Sequence, residues 1–158
     1  MLPVLFIGRF QPFHLGHLDA IRQVLSSHDK IIIGIGSAQY SGKQKNPYPV
    51  NMRQKMIQES LRDARISGER FSIVHIPDIH NDDEWVAHVE KLCPPFGAVL
   101  SGTPLVQDLF RKNGTHEVMT PQFNFHISGT AVREKMADKE PWEEMVPEVV
   151  AGIIHKNT

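Results

Sequence analysis

The segment GRFQPFHLGH, residues 8–17, concentrates anion-binding groups directly after an apolar run, LPVLFI. If a helix begins just after His14, then His14 and His17 lie three residues apart and face one side of its first turn. Free backbone N–H groups and the positive end of the helix dipole attract anions at that position. Gly16 leaves the backbone open to a phosphate, and Arg9 adds a planar cationic fork that suits phosphate oxygens. The segment therefore predicts a phosphate pocket with imidazole donors.

Two other interpretations of the histidine pair stay open at this point. A zinc site would use the same imidazoles, although no third ligand stands at a local metal spacing. Two ordinary histidines at a helix start would need no ligand at all. With nine histidines and eleven glycines in the chain, a chance His-x-Gly-His has a probability of roughly 0.035.

A second helix start, ISGTAVREKM at residues 127–136, has the same character. Ser128 suits the N-cap, Thr130 places a hydroxyl in the first turn, and Arg133 lies one turn further on. Such a helix start can hold further phosphate oxygens while the arginine neutralises their charge. Taken alone, however, a plain capped helix with a surface arginine explains the pattern better.

Short apolar runs alternate with segments of helical periodicity along the chain. Predicted strands cover residues 2–7, 30–35, 71–76, 97–101 and 116–119. Predicted helices cover roughly residues 15–27, 51–65, 83–92, 103–113, 128–137 and 142–155. Four of the strands are too apolar for a sheet that is covered on one face. The pattern therefore predicts an α/β fold with a Rossmann-like, doubly wound parallel sheet.

This fold predicts where the candidate phosphate-binding groups lie. Ligands of open parallel sheets bind beyond the carboxyl ends of the strands, where the strand order changes direction. GRFQPFHLGH follows the first predicted strand, so its polar side chains would face that crevice. We expect a single domain over residues 1–158, with a core over about 1–137 and a C-terminal helical segment over about 138–158.

Composition narrows the class of protein. With 158 residues, 41% of them hydrophobic and 22% charged, and a formal net charge of -1, the chain is typical of a globular domain. Without a basic excess, extended nucleic-acid binding is not expected. There is no stretch of membrane-spanning length and no signal-peptide pattern, and the single cysteine, Cys93, cannot form an intrachain disulfide. We therefore expect a cytoplasmic protein without a membrane or nucleic-acid partner.

Together, HLGH and SGTAVR resemble the His-x-Gly-His and Ser-x-Thr-x-x-Arg signatures of the nucleotidyltransferase superfamily. More narrowly, seven segments in order over residues 1–145 are similar to the archaeal-type nicotinamide-nucleotide adenylyltransferases: IGRFQPFHLGH, IGIGSAQYS, NPY, PDI, W with HVE, PPF and SGTAVR. The resemblance implies formation of NAD and pyrophosphate from ATP and nicotinamide mononucleotide (NMN). It also implies Mg²⁺ held mainly by triphosphate oxygens and water rather than by protein ligands. A homo-oligomer is a further expectation, and a hexamer is one form it would take.

The resemblance also assigns roles to residues. The expected catalytic residues are His14, His17, Arg133 and Arg9. The expected ATP-binding residues are Gly8, Phe10, Gln11, Gly16, Ser128, Gly129 and Thr130. The nucleophile is the 5′-phosphate of NMN, whose second pKa of about 6 makes it largely dianionic at neutral pH. No general base is therefore needed, and the task is to stabilise charge on the phosphates.

Acceptor choice is expected to reside mainly in PDIHNDDEWVAHVE. The expected NMN-binding residues are Lys45, Asp78, Asp82, Trp85 and Phe123. The indole of Trp85 would stack on the cationic nicotinamide ring, with a gain of about 0.5–2 kcal/mol, and the acidic side chains would disfavour nicotinic acid mononucleotide. The structural alternative is a core tryptophan beside a solvated acidic helix turn. Lys45 stands where the family pattern has arginine, and Asp82 where it often has asparagine; Lys43 is a second candidate for the lysine's role.

Two competing functions share these features. An adenylyl- or cytidylyltransferase for another phosphate acceptor, such as phosphopantetheine or flavin mononucleotide, would use the same two phosphate elements. Only the Trp85 segment and the GRFQPF context separate it from the NMN enzyme. A non-catalytic nucleotide sensor would keep the pocket, but the intact His14, His17 and Arg133 favour catalysis, because a sensor needs affinity without transition-state stabilisation.

Overall fold

Five short strands form a parallel sheet in the computed structural model, which describes residues 1–122 and 126–158. The strands are β1 (Val4–Gly8), β2 (Ile31–Gly36), β3 (Phe71–Ile76), β4 (Ala98–Leu100) and β5 (Glu117–Met119). They lie in the order β3-β2-β1-β4-β5, and every neighbouring pair is parallel. The predicted Rossmann-like α/β fold is confirmed.

Six α-helices in the described residues connect and flank the strands. They are α1 (Leu15–Leu25), α2 (Val50–Asp63), α3 (Asp82–Leu92), α4 (Pro104–Asn113), α5 (Gly129–Ala137) and α6 (Glu148–Lys156). Five of them agree closely with the predicted ranges. Within the described ranges, none is long and apolar enough to cross a lipid bilayer.

The predicted helix over 142–155 is wrong for its first six residues. A short 3-10 turn covers Glu143–Met145, and Val146 is extended, with φ -126° and ψ 158°. The reason is Pro147, because the ring of a proline disfavours helical backbone at the residue before it. The helical segment α6 therefore begins only at Glu148.

The apolar side chains of the strands pack on both faces of the sheet. Val4 and Phe6 of β1 belong to a core formed with α1, α2 and α6. The alternate residues, Leu5 and Ile7, belong to a second core formed with α3 and α4. This two-sided burial explains why the strands read as continuous apolar runs, and each fully buried aliphatic side chain contributes about 1.5–3 kcal/mol of transfer free energy.

The direction of the strand order changes at β1. The chain passes from β1 outward to β2 and β3, then returns to place β4 on the other side of β1. The connections that follow β1 and β4 therefore leave the sheet in opposite directions and open a crevice between them. The histidine segment enters α1 at this crevice, as the sequence predicted.

Candidate active site

The two histidines of the HLGH segment cap the start of α1 reciprocally. Nδ1 of His14, the N-cap residue, accepts from the backbone N–H of His17 at 3.3 Å, and Nδ1 of His17 accepts from the backbone N–H of His14 at 3.0 Å. The rings stack with their centroids 3.5 Å apart. Because each Nδ1 accepts a hydrogen bond, the proton of each neutral ring lies on Nε2. The backbone thus fixes the tautomer, and both rings keep an Nε2–H free to donate.

Burial keeps these imidazoles neutral. His14 is only 3% exposed, and burial lowers its pKa to about 4. Burial, followed by the proximity of His14, lowers the pKa of His17 well below its usual range. Phe10 lies edge-on to the His17 ring at 4.7 Å, and Phe13 stacks on it at 5.5 Å. At neutral pH the pair therefore acts as two uncharged donors in an apolar wall.

Acid is expected to destabilise the fold through His14. Unfolded histidines bind protons near pH 6.5, whereas this one resists protonation down to about pH 4. The unfolded state then binds more protons in that window, so the free energy of unfolding falls as the pH drops through it. The loss for His14 amounts to about 3 kcal/mol over the whole window, measured by denaturant unfolding at a series of pH values.

His14→Asn is the matched control for this prediction. Asparagine keeps a side-chain acceptor at the N-cap but does not titrate. The stability of the variant should therefore fall less steeply than that of the wild type between pH 6.5 and 4. Equal slopes in the two proteins would contradict a buried neutral imidazole at residue 14.

The second helix start faces the first across a cavity of about 380 Å³. The Ser128 hydroxyl caps α5 by accepting from the backbone N–H of Ala131 at 3.0 Å. Arg133 donates from Nη1 to the Gln11 carbonyl at 2.7 Å and from Nη2 to the Thr130 hydroxyl at 3.2 Å. The polar or charged lining includes Arg9, Gln11, His14, His17, Ser128, Thr130 and Arg133. The fold thus joins the two predicted phosphate elements in one cavity.

An adjoining cavity of about 540 Å³ continues from the same cations. Arg9 and Arg133 line both cavities, and Lys45 lines the second. Burial, and then the positive charge of Arg9, lowers the pKa of Arg133, in agreement with two guanidinium side chains that line the same two cavities. Lys43 instead lies over the ring of Tyr40, at 5.0 Å from its centroid. Lys45 is therefore the lysine of this loop that faces the cavities.

Gln11 lines the first cavity but uses its side chain inside the protein. Its Nε2 donates to the Tyr48 carbonyl at 3.0 Å, and its Oε1 accepts from the Tyr48 N–H at 2.9 Å. Its own carbonyl receives Arg133. Gln11 therefore braces three segments: the loop after β1, the loop that carries Lys45, and α5. Contact between its side chain and ATP remains a prediction.

Two glycines of the site are set by close packing. A Cβ atom on Gly129 would lie 3.0 Å from Nη1 of Arg133, and one on Gly8 would lie 3.0 Å from the ring of Phe10. Phe10 itself is buried with a left-handed φ of 54°, a conformation that costs a non-glycine residue energy. Gly16 is buried within α1 and does not line either cavity.

Asp78 is tied to the loop after β2 rather than to the phosphate cavities. Its Oδ2 accepts from the Ser37 hydroxyl at 2.8 Å. The side chain of Gln39 pairs with the backbone N–H and carbonyl of Asp78, both at 2.9 Å. The segment after β3 and the loop after β2 are thus joined side by side at the carboxyl edge of the sheet.

The other predicted acceptor residues lie along α3 or outside the described chain. Trp85 is partly buried and meets Phe110 edge-to-face, with ring centroids 5.7 Å apart. Asp82 is exposed in the first turn of α3, where a negative charge is favourable to the helix dipole. Neither residue lines the two cavities. Phe123 falls outside the residues that the structure describes.

Sequence reasoning missed Arg53, which is fully buried beneath the site. The spacing of apolar residues along α2 could have indicated that Arg53 is buried. Arg53 occupies the same helical face as Met56, Ile57, Ser60 and Leu61, all buried. A charged residue on an otherwise core-facing stripe demands partners inside the protein.

Comparison with known proteins identifies the class. The cytidylyltransferase-like family model matches residues 5–135, which include the HLGH and SGTAVR segments, four residues of β1 and all of the other four strands. The fold and the site thus define a nucleotidyltransferase of this family.

Curated relatives indicate a narrower family within this class. A nicotinamide-nucleotide adenylyltransferase of Thermococcus kodakarensis is 41% identical over 153 residues, covering 96% of this chain and 81% of that protein. One from Thermoplasma acidophilum is 44% identical over 151 residues, covering 95% and 83%. The chain belongs to the nicotinamide-nucleotide adenylyltransferase family, as its seven sequence segments predicted.

A solved structure supports the same assignment. The bifunctional NMN adenylyltransferase/ADP ribose pyrophosphatase of Francisella tularensis, complexed with AMP and a manganese ion, superposes with a TM-score of 0.74 at 27% identity. The match covers 92% of this chain and 44% of that one. This chain therefore spans less than half the length of that bifunctional protein.

Proposed function

We propose that this chain transfers the AMP moiety of ATP to NMN and releases pyrophosphate, forming NAD. One observation carries the proposal: the capped His14–His17 pair and the α5 start with Arg133 line a single cavity beside Arg9. Membership of the family supports NMN over phosphopantetheine or flavin mononucleotide as the acceptor. The arrangement holds two phosphate groups close together, which is what adenylyl transfer requires.

In this reaction an oxygen of the NMN 5′-phosphate attacks the α-phosphorus of ATP in line. A new P–O bond forms while the bond from the α-phosphorus to the bridging oxygen of pyrophosphate breaks. The Nε2–H of His17 donates to an α-phosphate oxygen as its negative charge grows, and His14 donates to the same triphosphate. No proton has to leave the nucleophile, which agrees with two imidazoles that are neutral donors and not bases.

The cationic side chains of the site bind the leaving group and the acceptor. Arg133 and the N-terminal turn of α5, with Ser128 and Thr130, hold the β- and γ-phosphates and so the departing pyrophosphate. Arg9 and Lys45, which face the adjoining cavity, bind the phosphate of the acceptor. Lys45 contributes a point charge where the family pattern has a bidentate arginine.

The site fits a magnesium ion that is bound through the triphosphate. The cavity lining supplies imidazole, hydroxyl and guanidinium groups, and the described ranges contain no group of three or more His, Cys, Asp or Glu residues arranged to hold a metal ion. Phosphate oxygens and water would therefore be its ligands. When bound, the ion neutralises charge on the phosphates. The manganese ion and AMP in the Francisella structure support the use of a divalent cation.

A parallel acceptor assay tests the function. Purified protein with ATP and Mg²⁺ is given NMN, nicotinic acid mononucleotide, flavin mononucleotide or phosphopantetheine, and pyrophosphate and nucleotide products are identified. We expect NAD from NMN as the main product. Turnover with a different acceptor only would contradict the assigned substrate. ATP binding without pyrophosphate release from any acceptor would favour a nucleotide sensor.

Truncation of Trp85 tests the acceptor pocket. If its indole stacks on the nicotinamide ring, Trp85→Ala should raise the KM for NMN about 2- to 30-fold and leave the KM for ATP unchanged. Trp85→Phe keeps an aromatic face and should recover most of the loss. Because Trp85 also packs on Phe110, thermal unfolding is measured alongside. A lower Tm with an unchanged KM for NMN would show that the residue only packs.

A further inference from the structure

Arg53 is a buried cation whose partners are backbone carbonyls. It is the fourth residue of α2 and is 0% exposed. In the described part of the chain, no other Arg, Lys, Asp or Glu side chain is as fully buried, and no carboxylate pairs with it there. Burying a guanidinium is unfavourable unless its donors are satisfied. The two terminal nitrogens of Arg53 meet carbonyl acceptors, whereas its buried Nε has no hydrogen-bond partner among the described residues.

The guanidinium collects carbonyls from the ends of two strands. Nη1 donates to the carbonyls of Arg9 at 2.9 Å and Gly36 at 2.8 Å. Nη2 donates to those of Ser37 at 3.1 Å and Tyr40 at 3.3 Å. Arg9 directly follows β1 and Gly36 is the last residue of β2. Ser37 and Tyr40 belong to the loop after β2. One planar fork thus joins the exit of β1 to the exit of β2.

Both of these exits bear on the proposed site. The backbone of Arg9 is held by Arg53, while the side chain of Arg9 lines both cavities. Ser37 has a left-handed φ of 48°, and its hydroxyl binds Asp78 of the segment after β3. The positive charge of Arg9, after burial, contributes to lowering the pKa of Arg53, to about 10. The two cations are therefore close enough to interact.

We infer that Arg53 is a positioning residue for the proposed adenylyl transfer: it sets the place of Arg9 at the phosphate cavities and locks the loop after β2 beside it. Arg53 itself is closed to solvent, so it does not contact a substrate. It acts through Arg9 and through the loop from Ser37 to Tyr40. This role rests on the proposed function for its kinetic readout.

A second arginine offers a matched control. Arg70 also donates to backbone carbonyls, those of Leu25 at 2.8 Å, His28 at 3.0 Å and Asp29 at 3.0 Å. It precedes β3 and holds the connection between α1 and β2, at the amino end of the sheet and away from the cavities. Arginine-to-lysine substitution at either position removes the same kind of hydrogen bonds.

The experiment compares Arg53→Lys with Arg70→Lys at a temperature where both are folded. Lysine keeps the charge but cannot reach four carbonyls as a planar fork does. Both variants should have a lower Tm. Arg53→Lys should in addition lower kcat/KM for NAD formation by about tenfold or more, whereas Arg70→Lys should keep it within about twofold. Equal kinetic losses, or wild-type kinetics in Arg53→Lys, would overturn the inference.

A double-mutant cycle tests the route through Arg9. If Arg53 acts partly by placing Arg9, Arg53→Lys should cost about threefold less in an Arg9→Ala background than alone. Full additivity would overturn this route. Should Arg53→Lys not fold, the uncharged Arg53→Gln is measured in its place, and loss of folding in both would show a purely structural residue and overturn the inference.

A binding measurement distinguishes failure of the proposed function from failure of the positioning role. If wild-type protein makes no NAD, that proposal fails, and Arg53 is then judged by titration of ATP followed calorimetrically. Because Arg9 also lines the cavity of the two helix starts, where the triphosphate is proposed to bind, Arg53→Lys should raise the Kd for ATP about fivefold over wild type and over Arg70→Lys. An unchanged Kd would overturn the positioning role whatever the reaction is.

Discussion

Replacing His17 with alanine is expected to lower kcat for NAD formation by about 10²–10³-fold, the usual effect of removing one preorganised donor to a developing oxyanion. The Nε2–H of this ring is held in place by the bond from the His14 N–H to Nδ1 and by the packing of Phe10 and Phe13. KM for ATP should change much less than kcat, because the donor matters most in the transition state. Steady-state kinetics with NMN measure both.

Alanine also removes half of the helix cap, so a second variant separates the two effects. Glutamine at this position can still accept from the N-cap backbone N–H, as in a capping box, but it lacks the ring Nε2–H. His17→Gln should therefore recover stability while kcat stays low. His28→Ala, three residues past the end of α1, is the control and should be fully active. Wild-type turnover in His17→Ala would contradict the catalytic assignment.

Loss of Arg133 is expected to have the second large effect. Arg133→Ala should reduce kcat/KM for ATP by at least about 100-fold, because the β- and γ-phosphates lose a charged fork. Arg133→Lys, which keeps the charge and loses bidentate geometry, should be reduced by about 10- to 150-fold. Arg111→Ala removes an exposed arginine of α4 and should not change the kinetics.

A neighbouring glycine tests the same contact without removing the charge. A methyl group on Gly129 would lie 3.0 Å from Nη1 of Arg133. It would also lie 3.3 Å from the Gln11 carbonyl oxygen to which Arg133 donates. Gly129→Ala should therefore displace the guanidinium and raise the KM for ATP while leaving Tm close to that of the wild type. An unchanged KM for ATP in this variant, together with full activity of Arg133→Ala, would exclude Arg133 from triphosphate binding.

The local features of the site could be predicted from the chain alone because they depend on short-range spacing. Continuous apolar runs indicate strands buried on both faces, and the three-residue separation of His14 and His17 places both rings on one turn of helix wherever α1 packs. The cap at Ser128 follows from its own hydroxyl. Pro147 shows that even a short-range prediction can fail. The helical periodicity of the sequence continues across this proline, but the residue before a proline disfavours helical backbone, so the helix begins only at Glu148.

The long-range features were decided only by the tertiary structure. Gln11 braces Tyr48, 37 residues away, and Arg133 binds the Gln11 carbonyl across 122 residues. The crossover connections bring these segments together, and no local pattern encodes which carbonyl a side chain will meet. The same holds for Lys45 facing the cavities while Lys43 lies on Tyr40.

Arg53 has both a local feature that the sequence shows and long-range contacts that only the fold decides. Its place on the buried face of α2 is visible in the sequence as a charge among apolar neighbours. Its partners, however, include carbonyls at the ends of β1 and β2. These carbonyls come together only when the parallel sheet has formed. The sequence by itself therefore determined which groups are available for the proposed phosphate binding. The sheet determined where those groups lie, because strand ends from distant parts of the chain meet at one edge.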